Sequence, residues 1–244
     1  PLTIDIGGSK VVSWPYVGLT LQALENFGVP FTVERKEGGV WSAVDWHTLE
    51  QAEPGNVRFR MVPAMYRAGR YAVEGDWSGA SYLLAAGAIG PRPVRIEGLR
   101  ADSLQGDRVM LDILRDMGAR IDIEPDAVTV HPSDLRGVVA DMSRCAAHLR
   151  SKECDRIAVP AQELSKVGVR CDEHDDGLTI HGDPALTSRL HSLDGIAFSA
   201  HGDHRIAMSL ALLELRGGRL TLDDPSCVSK SFPNFWECWG QVRA

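Results

Sequence analysis

The most regular feature of the hydrophobic pattern is a segment that occurs three times along the chain. In each copy, apolar residues recur at helical spacing, a glycine follows, and an alternating strand leads through a polar turn into a second strand. The three segments start at Leu19, Met110 and Ala161, and their glycines are Gly28, Gly118 and Gly168. Glycine directly after a helix is the common left-handed cap, so the pattern predicts a repeated helix–strand–strand unit.

A second helix type accompanies these units. Residues 78–90 (SGASYLLAAGAIG) and 203–215 (DHRIAMSLALLEL) are rich in Ala and Leu on most faces, which predicts buried helices. Each is followed by a short strand pattern. The complete unit is therefore βαβαββ, and the fold class is α/β with mixed sheets and packed helices.

The spacing of the glycines indicates that one unit is incomplete. Gly118 and Gly168 are 50 residues apart, whereas Gly28 and Gly118 are 90 residues apart. The short unit has no pattern for a buried helix or for the strand after it, a shortfall of about 20 to 25 residues near residues 145–146. Either the chain has lost this stretch or the sequence omits it. We favour omission, because an unfilled core site costs about 2–5 kcal/mol even for one side chain.

Residues 41–70 form an extra segment between the first helix–strand–strand unit and the buried helix predicted at residues 78–90. Their pattern carries no recognisable chemistry, and we predict a surface insertion between strands.

Composition narrows the classes of function. The 244 residues carry a net charge of −7, which argues against a general binder of nucleic acid or anionic membranes. No apolar run reaches the length of a membrane span, and the five cysteines show no C-x-x-C spacing. These features favour a reduced, cytoplasmic protein without a structural zinc site, and we expect no metal or other cofactor. The first residues, PLTIDIGGSK, are no signal peptide and suggest a strand already under way.

Against this acidic background, a few basic residues stand at predicted helix starts. Arg150, Lys152 and Arg156 precede one helix, His204 and Arg205 open another, and Lys230 precedes the last. Each has a plain structural explanation: Asp203 is a good helix cap, and residues 150–156 can form ion pairs along a helix start. Equivalent helix starts in repeated units tend to meet at one end of their sheets, which favours a shared site for phosphate or carboxylate.

Two acidic or polar features complete the candidate site. Glu153 lies among the basic residues, where it should stay ionised and could exchange a proton with an anionic substrate without a metal. Ser13 and Tyr16 form the motif SWPY, although Ser13 could equally cap a helix that has Pro15 in its first turn.

Several of these motifs resemble the EPSP synthases, or 3-phosphoshikimate 1-carboxyvinyltransferases. The resemblance is carried by VEGDWSGASYLLAAGAIG, DSLQGD, LRSKECDRI, GDHRIAMSLALLEL and DDPSCVSKSFPNFW, which cover much of the chain. It implies the enolpyruvyl transferase fold, an inside-out α/β barrel with two domains of three βαβαββ units each. It also implies transfer of the enolpyruvyl group of phosphoenolpyruvate to the 5-hydroxyl of shikimate 3-phosphate, a step towards chorismate and the aromatic amino acids.

The resemblance assigns roles position by position. Ser13, Tyr16, His148 and Lys152 would contact shikimate 3-phosphate, with His148 standing where many members have Asn. Three cations would hold the phosphate and carboxylate of phosphoenolpyruvate: Arg156, Arg205 and Lys230. Glu153, Lys152 and His204 would take part in catalysis, with Glu153 moving a proton at the methylene carbon.

The chain also departs from the family pattern. The family's catalytic Asp belongs to a Pro-Asp pair that would fall in the missing stretch, and the N-terminal substrate contacts of the family are absent. Residues 1–72 therefore resemble the last unit of the N-terminal domain, and residues 73–244 resemble the C-terminal domain with a gap near 145–146. The chain alone is expected to be inactive, and its expected partner is the missing N-terminal half of the same enzyme.

Three other interpretations remain open at this point. The chain could be a non-catalytic binding module of the same fold. It could belong to the sister enolpyruvyl transferases that act on UDP-N-acetylglucosamine, although KECDR and VSKSFPNFW favour shikimate 3-phosphate. It could also be a fragment that requires its other half for assembly.

Overall fold

The computed structural model describes residues 1–9, 11, 14–49, 51–141, 149–193 and 195–243. These residues form two units. The first unit comprises Pro1–Val73 with Leu104–Gly106, and the second comprises Glu74–Ser103 with Asp107–Ala244.

The first unit is a four-stranded antiparallel sheet with one helix. Its elements are β1 (Leu2–Asp5), α1 (Trp14–Asn26), β2 (Phe31–Glu37), β3 (Val40–Val44) and β4 (Val57–Met61). The strand order is β1-β4-β2-β3. Alternate residues of β2 and β4, such as Val33 and Phe59, face a core that includes Leu21 of α1 and Trp46.

The prediction of a surface insertion at residues 41–70 is wrong for much of that segment. Trp41 lies in β3, and β4 is an interior strand that pairs with both β1 and β2. The charged residues of β4 hid its strand character, since Arg58 forms an ion pair with Glu34 of β2 on the face opposite Val57 and Phe59. A short 3-10 helix at Trp46–Thr48 places Trp46 in the core.

The second unit opens with a buried helix and a three-stranded sheet. Its first elements are α2 (Trp77–Ile89), β5 (Val94–Glu97), α3 (Met110–Asp116), β6 (Arg120–Glu124) and β7 (Ala127–His131). The strand order is β5-β7-β6, with both pairs antiparallel. One face of α2, including Leu84, packs against Leu111 and Val128, while Leu83 packs against Met208 and Phe235. The prediction that α2 is buried is thus confirmed.

The rest of the second unit contains two smaller sheets. Its elements are α4 (Ala158–Ser165), β8 (Cys171–His174), β9 (Gly177–Ile180), α5 (Leu186–Ser192), β10 (Ile196–Phe198), α6 (His204–Ala211), β11 (Leu220–Leu222) and α7 (Phe235–Arg243). Strands β8 and β9 form an antiparallel pair, and β10 and β11 form a parallel pair. Helix α6 is buried as predicted, but it ends at Ala211 and continues as a 3-10 helix over Leu212–Arg216.

The predicted glycine caps are confirmed. Gly28, Gly118 and Gly168 have φ angles of 68°, 99° and 73°, the left-handed region in which a side chain is strained. Each glycine ends a helix and leads into a hairpin, so the three predicted helix–strand–strand units are present.

The expected gap near residues 145–146 lies outside the described residues and stays a prediction. Within the described ranges, none of the helices has the length and apolar character needed to cross a membrane.

Close packing of α2 on β7 gives a stability prediction. A Cβ at Gly87 would lie 2.7 Å from the carbonyl oxygen of Val130. Gly87→Ala should therefore lower the free energy of unfolding by about 1–3 kcal/mol, although alanine is the better helix former. The matched control is Gly240→Ala in α7, where a Cβ meets nothing within 4 Å and stability should rise by up to about 1 kcal/mol. Urea unfolding of both variants checks this, and equal effects at the two sites would contradict the packing.

Candidate active site

The centre of the candidate site is a buried carboxylate at the start of α6. Asp203 is 0% exposed and accepts a hydrogen bond from the backbone N–H of Arg205 at 2.9 Å, so the predicted helix cap is confirmed. Its two oxygens also accept bonds from Arg156, at 2.7 Å from Nε and 3.1 Å from Nη2. Burial opposes ionisation of Asp203, but these donors outweigh it and lower the pKa of the carboxyl.

A second carboxylate joins Arg156 to Lys230. Glu153 accepts a bond from Arg156 Nη2 at 2.7 Å through one oxygen and from Lys230 Nζ at 2.6 Å through the other. The hydrogen bond from Lys230 is the main reason that the pKa of Glu153 falls to about 2. The lowered pKa agrees with the expectation that Glu153 stays ionised. Arg156 is therefore shared between two carboxylates from different parts of the chain.

The side chain of Arg205 points to the first turn of α2. Its Nη2 lies 3.3 Å from Ser78 Oγ, and the Ser78 hydroxyl donates to the carboxylate of Asp107. Tyr82, one turn further along α2, is half-buried near this group, and desolvation raises the pKa of its phenol to about 12. The phenol therefore stays protonated at neutral pH and can donate or accept hydrogen bonds only as a neutral hydroxyl group.

His204 is held as a neutral imidazole. It is 6% exposed, and burial is the largest of the influences that lower its pKa. Nδ1 is buried, makes no hydrogen bond within the described structure, and lies 3.8 Å from Asp203 Oδ1. A buried ring nitrogen without a partner is costly to maintain, so it is open to a ligand that can satisfy it.

The structure brings together five of the site residues predicted from sequence. Arg156 and Lys230 meet at Glu153, and Arg156 also bonds to Asp203, which caps the helix that carries His204 and Arg205. The Arg205 guanidinium itself lies at Ser78 and not at Asp203. Lys152 is exposed and forms no hydrogen bond or ion pair with any described residue. Tyr16 lies on α1 of the first unit, where it is 55% exposed, and Ser13 and His148 lie outside the described residues.

Arg150 does not belong to this group. Its guanidinium bonds to the carboxylate of Asp155 at 2.7 Å and to the backbone carbonyls of His174 and Asp175 at 2.6 and 3.1 Å. The structural explanation by ion pairing is the right one for this residue, because its donors fasten the loop before α4 to the β8–β9 hairpin.

Sequence reasoning missed three contributors. Asp203 was recognised only as a helix cap, and Ser78 and Asp107 were quoted within motifs without a role. No local pattern could have identified the wider role of Asp203, because its guanidinium partner, Arg156, is 47 residues away in the sequence.

Comparison with known proteins settles the family. A family model described as EPSP synthase (3-phosphoshikimate 1-carboxyvinyltransferase) matches residues 48–147 and 142–239. The chain belongs to the EPSP synthase family. Among curated relatives, a Methanosphaera stadtmanae protein with the same enzyme name is 32% identical over 97% of this chain, and one from Methanoculleus marisnigri is 40% identical over 75% of it.

The solved structures agree in fold. EPSP synthase from Acinetobacter baumannii aligns with a TM-score of 0.68 and 23% identity over 92% of this chain. The enolpyruvyl transferase NikO from Streptomyces tendae aligns with a TM-score of 0.64 and 22% identity over 98% of it. The predicted enolpyruvyl transferase fold is thereby confirmed.

The chain spans about half the length of these family members. It covers 55% of the Methanosphaera relative and 54% of the Acinetobacter structure. The alignment with the Methanosphaera relative runs over 260 residues, more than the 244 residues of this chain. That alignment must therefore contain positions at which the relative has a residue and this chain has none.

The pairing of Glu153 with Lys230 gives a prediction about pH. Lys230→Met should raise the pKa of Glu153 from about 2 towards its ordinary value of 4.5, although Arg156 should keep it below that value. Because the folded-state pKa is depressed, the stabilisation by this pair is complete above the unfolded pKa and is lost as pH falls through the folded pKa. Carboxyl-carbon NMR titration measures the change.

The matched control is Lys36→Met, which removes one positive charge from the first unit and touches no residue of the site. It should leave the titration of Glu153 unchanged. An unchanged Glu153 pKa in Lys230→Met as well would show that the 2.6 Å contact does not exist in solution.

Proposed function

We propose that this chain is the C-terminal part of an enzyme that transfers the enolpyruvyl group from phosphoenolpyruvate to the 5-hydroxyl of shikimate 3-phosphate. The observation that carries the proposal is the meeting of Arg156 and Lys230 on Glu153, beside the start of α6 with His204 and Arg205. Family membership supports it, although the chain covers only about half of its relatives.

Three cations would hold phosphoenolpyruvate. Arg156, Arg205 and Lys230 offer guanidinium and ammonium donors to its carboxylate and phosphate, and charge-assisted bonds of this kind are the strong ones. Asp203 holds Arg156 in place through two bonds, and Ser78 lies within hydrogen-bonding distance of the Arg205 guanidinium. The cations are thus oriented before a substrate arrives, which lowers the cost of binding.

Glu153 would supply the proton chemistry at the methylene carbon. In the structure it is ionised and neutralised by Arg156 and Lys230, so it is a poor acid. An incoming anion competes for the same two cations, and a carboxylate that loses its cationic partners regains a higher pKa. Substrate binding would therefore turn Glu153 into a group that can give and take a proton.

The transfer itself needs two matched steps. The 5-hydroxyl gives up its proton to water as its oxygen bonds to C2 of phosphoenolpyruvate, and the methylene carbon takes a proton from Glu153, which gives a tetrahedral ketal. Phosphate then leaves as the same carbon returns a proton, which restores the double bond in the product. Neutral His204 and exposed Lys152 would assist as hydrogen-bond donors at the reacting groups.

The residues of the shikimate 3-phosphate site are assigned by motif. We assign Ser13, Tyr16, His148 and Lys152 to it, following the family motif. We also assign residues 1–72 to the last unit of the N-terminal domain and residues 73–244 to the C-terminal domain. The division of the structure between Val73 and Glu74 supports this assignment.

The chain alone should lack turnover. The remaining contacts belong to an N-terminal half that this sequence does not contain, and the Asp of the family's Pro-Asp pair falls in the stretch missing near residues 145–146. The 54–55% coverage of the relatives supports a partner of this kind.

A phosphate-release assay tests the proposal. The 244-residue chain is measured alone and after mixing with the N-terminal half of the Methanosphaera relative, with phosphoenolpyruvate and either shikimate 3-phosphate or UDP-N-acetylglucosamine. We expect no release from the chain alone. The mixture should release phosphate with shikimate 3-phosphate, more slowly than an intact relative because the Pro-Asp carboxylate is missing.

Two variants sharpen the assay. Lys230→Met should reduce release by the mixture at least tenfold, whereas Lys36→Met should not change it. Phosphate release that requires UDP-N-acetylglucosamine would show that the chain belongs to the enzymes that act on this acceptor, and not to those that act on shikimate 3-phosphate. No release from the mixture with either acceptor would contradict the proposal, and so would turnover by the chain alone near that of an intact enzyme.

A further inference from the structure

A second buried carboxylate lies near the C-terminal end of α4. Glu163 is 0% exposed, and the proposed function gives it no role. Its oxygens accept bonds from Lys166 Nζ at 2.7 Å, from the backbone N–H of Ser199 at 3.0 Å and from His201 Nε2 at 3.1 Å. Burial opposes ionisation of Glu163, but these donors outweigh it and lower the pKa of the carboxyl. An ionised carboxylate only accepts, so the imidazole carries a proton on Nε2.

The loop between β10 and α6, which supplies two of these donors, contains a tight turn. The N–H of Asp203 donates to the carbonyl of Ala200 at 2.8 Å and closes the turn. The central residues His201 and Gly202 have φ angles of 51° and 67°, and positive φ at both positions is typical of a type I′ turn. Among the described residues, His201 is the only one other than glycine with a positive φ. Such a conformation persists where surrounding contacts hold it, and the bond from the His201 ring to the buried carboxylate is one of them.

Helix α4 is tied to this loop near both of its ends. Arg156, two residues before the helix, bonds to Asp203 after the turn, and Glu163, in the last turn of the helix, bonds to Ser199 before the turn. Glu163 follows Arg156 by seven residues, which is about two turns of helix. Because a helix keeps its length, the tie at Glu163 restricts where Asp203 can lie relative to Arg156.

The loop has another anchor, which acts in a different direction. Asp223, directly after β11, accepts from the N–H of Ala200 at 2.8 Å and from the hydroxyl of Ser199. Asp223 therefore holds the loop to the sheet of β10 and β11, whereas Glu163 holds it to the helix that follows Arg156. The tie to the helix is the one that sets the loop against the Arg156 guanidinium.

We propose that Glu163 is a positioning residue for the candidate site. By accepting bonds from Ser199 and His201, it holds the loop at the distance from α4 at which Asp203 receives both bonds of Arg156. Glu163 touches no substrate and acts through Asp203. This role rests on the proposed function, in which the oriented Arg156 guanidinium binds phosphoenolpyruvate.

Hydrogen exchange at the Arg156 side chain tests this link without a ligand. In Glu163→Gln the side chain keeps its size, but Lys166 and His201 lose an ionised acceptor. The Arg156 Nε–H, which donates to Asp203 at 2.7 Å, should exchange with water about tenfold faster, as NMR of the 244-residue chain measures. Unchanged exchange in Glu163→Gln would overturn the proposal.

The matched control is Glu214→Gln, the same substitution at another largely buried carboxylate of the second unit. Glu214 is 13% exposed and accepts bonds from Trp239 Nε1 at 2.8 Å and from Arg243 Nη1 at 3.0 Å, so it ties α7 to the 3-10 helix after α6. Its loss should lower stability but leave Arg156 exchange as in the original chain. Equal acceleration in both variants would show that Glu163 serves stability alone, and it would overturn the proposal.

A second variant, His201→Gly, decides the question if Glu163→Gln does not fold. Glycine adopts the left-handed backbone of the turn without strain, so the loop can keep its path while Glu163 loses one donor. Exchange of the Arg156 Nε–H should then be about threefold faster than in the original chain. Exchange equal to that of the original chain would overturn the proposal.

Binding of phosphoenolpyruvate measures the consequence for the site. Its Kd for the 244-residue chain, from NMR titration, should rise about tenfold in Glu163→Gln and stay unchanged in Glu214→Gln. In the Asp203→Asn background, Glu163→Gln should cause no further loss of affinity, because it acts through Asp203. An unchanged Kd in Glu163→Gln, or a full additional loss in the Asp203→Asn background, would overturn the proposal.

The two measurements separate this proposal from the proposed function. Absence of phosphoenolpyruvate binding by the original chain would contradict the proposed function. In that case the exchange of the Arg156 Nε–H alone decides whether Glu163 positions this side chain.

Discussion

The Arg156 guanidinium, shared between Asp203 and Glu153, is the interaction on which the candidate site depends. Asp203 is completely buried, and a buried carboxylate is tolerated only when it is paired and hydrogen-bonded. Arg156 supplies two of its bonds and the backbone of α6 supplies a third. Because the buried charge of Asp203 must be neutralised by Arg156, the loop before α4 is held against the start of α6.

In the proposed function, the same constraint would keep the cations oriented for an anionic substrate. Arg156 and Lys230 contact the carboxylates of Asp203 and Glu153, and the Arg205 guanidinium is linked through Ser78 to the carboxylate of Asp107. Asp203 is completely buried, whereas Glu153 is 28% exposed and is the partner that a substrate would displace in the proposed function. The two acidic residues would then have different roles, with Asp203 as a fixed anchor and Glu153 as an exchangeable partner.

Local patterns predicted the parts of the fold that local physics determines. The glycine caps at Gly28, Gly118 and Gly168, the cap at Asp203 and the burial of α2 and α6 all follow from short-range rules, and the structure contains them. Strand β4 was missed because its alternate arginines are typical of a surface loop. In the structure Arg58 pairs with Glu34, and this partner lies 24 residues away in the sequence. The partners of Arg156 and Arg150 could not be predicted for the same reason. Both arginines belong to one charged segment, yet Arg156 bonds to the buried Asp203 and Arg150 bonds to the β8–β9 hairpin.

The most direct test of the account is the free energy of unfolding of Asp203→Asn, alone and combined with Arg156→Met. Asparagine can still cap α6 but leaves Arg156 without its buried partner, so the single variant should lose about 3–5 kcal/mol, and the double variant should recover part of that loss. Asp224→Asn, at the half-buried cap of the 3-10 helix Pro225–Lys230, should change stability by less than about 1 kcal/mol, because asparagine is an equally good cap and no arginine is buried against it. An Asp203→Asn variant as stable as Asp224→Asn, with no coupling to Arg156→Met, would contradict the account.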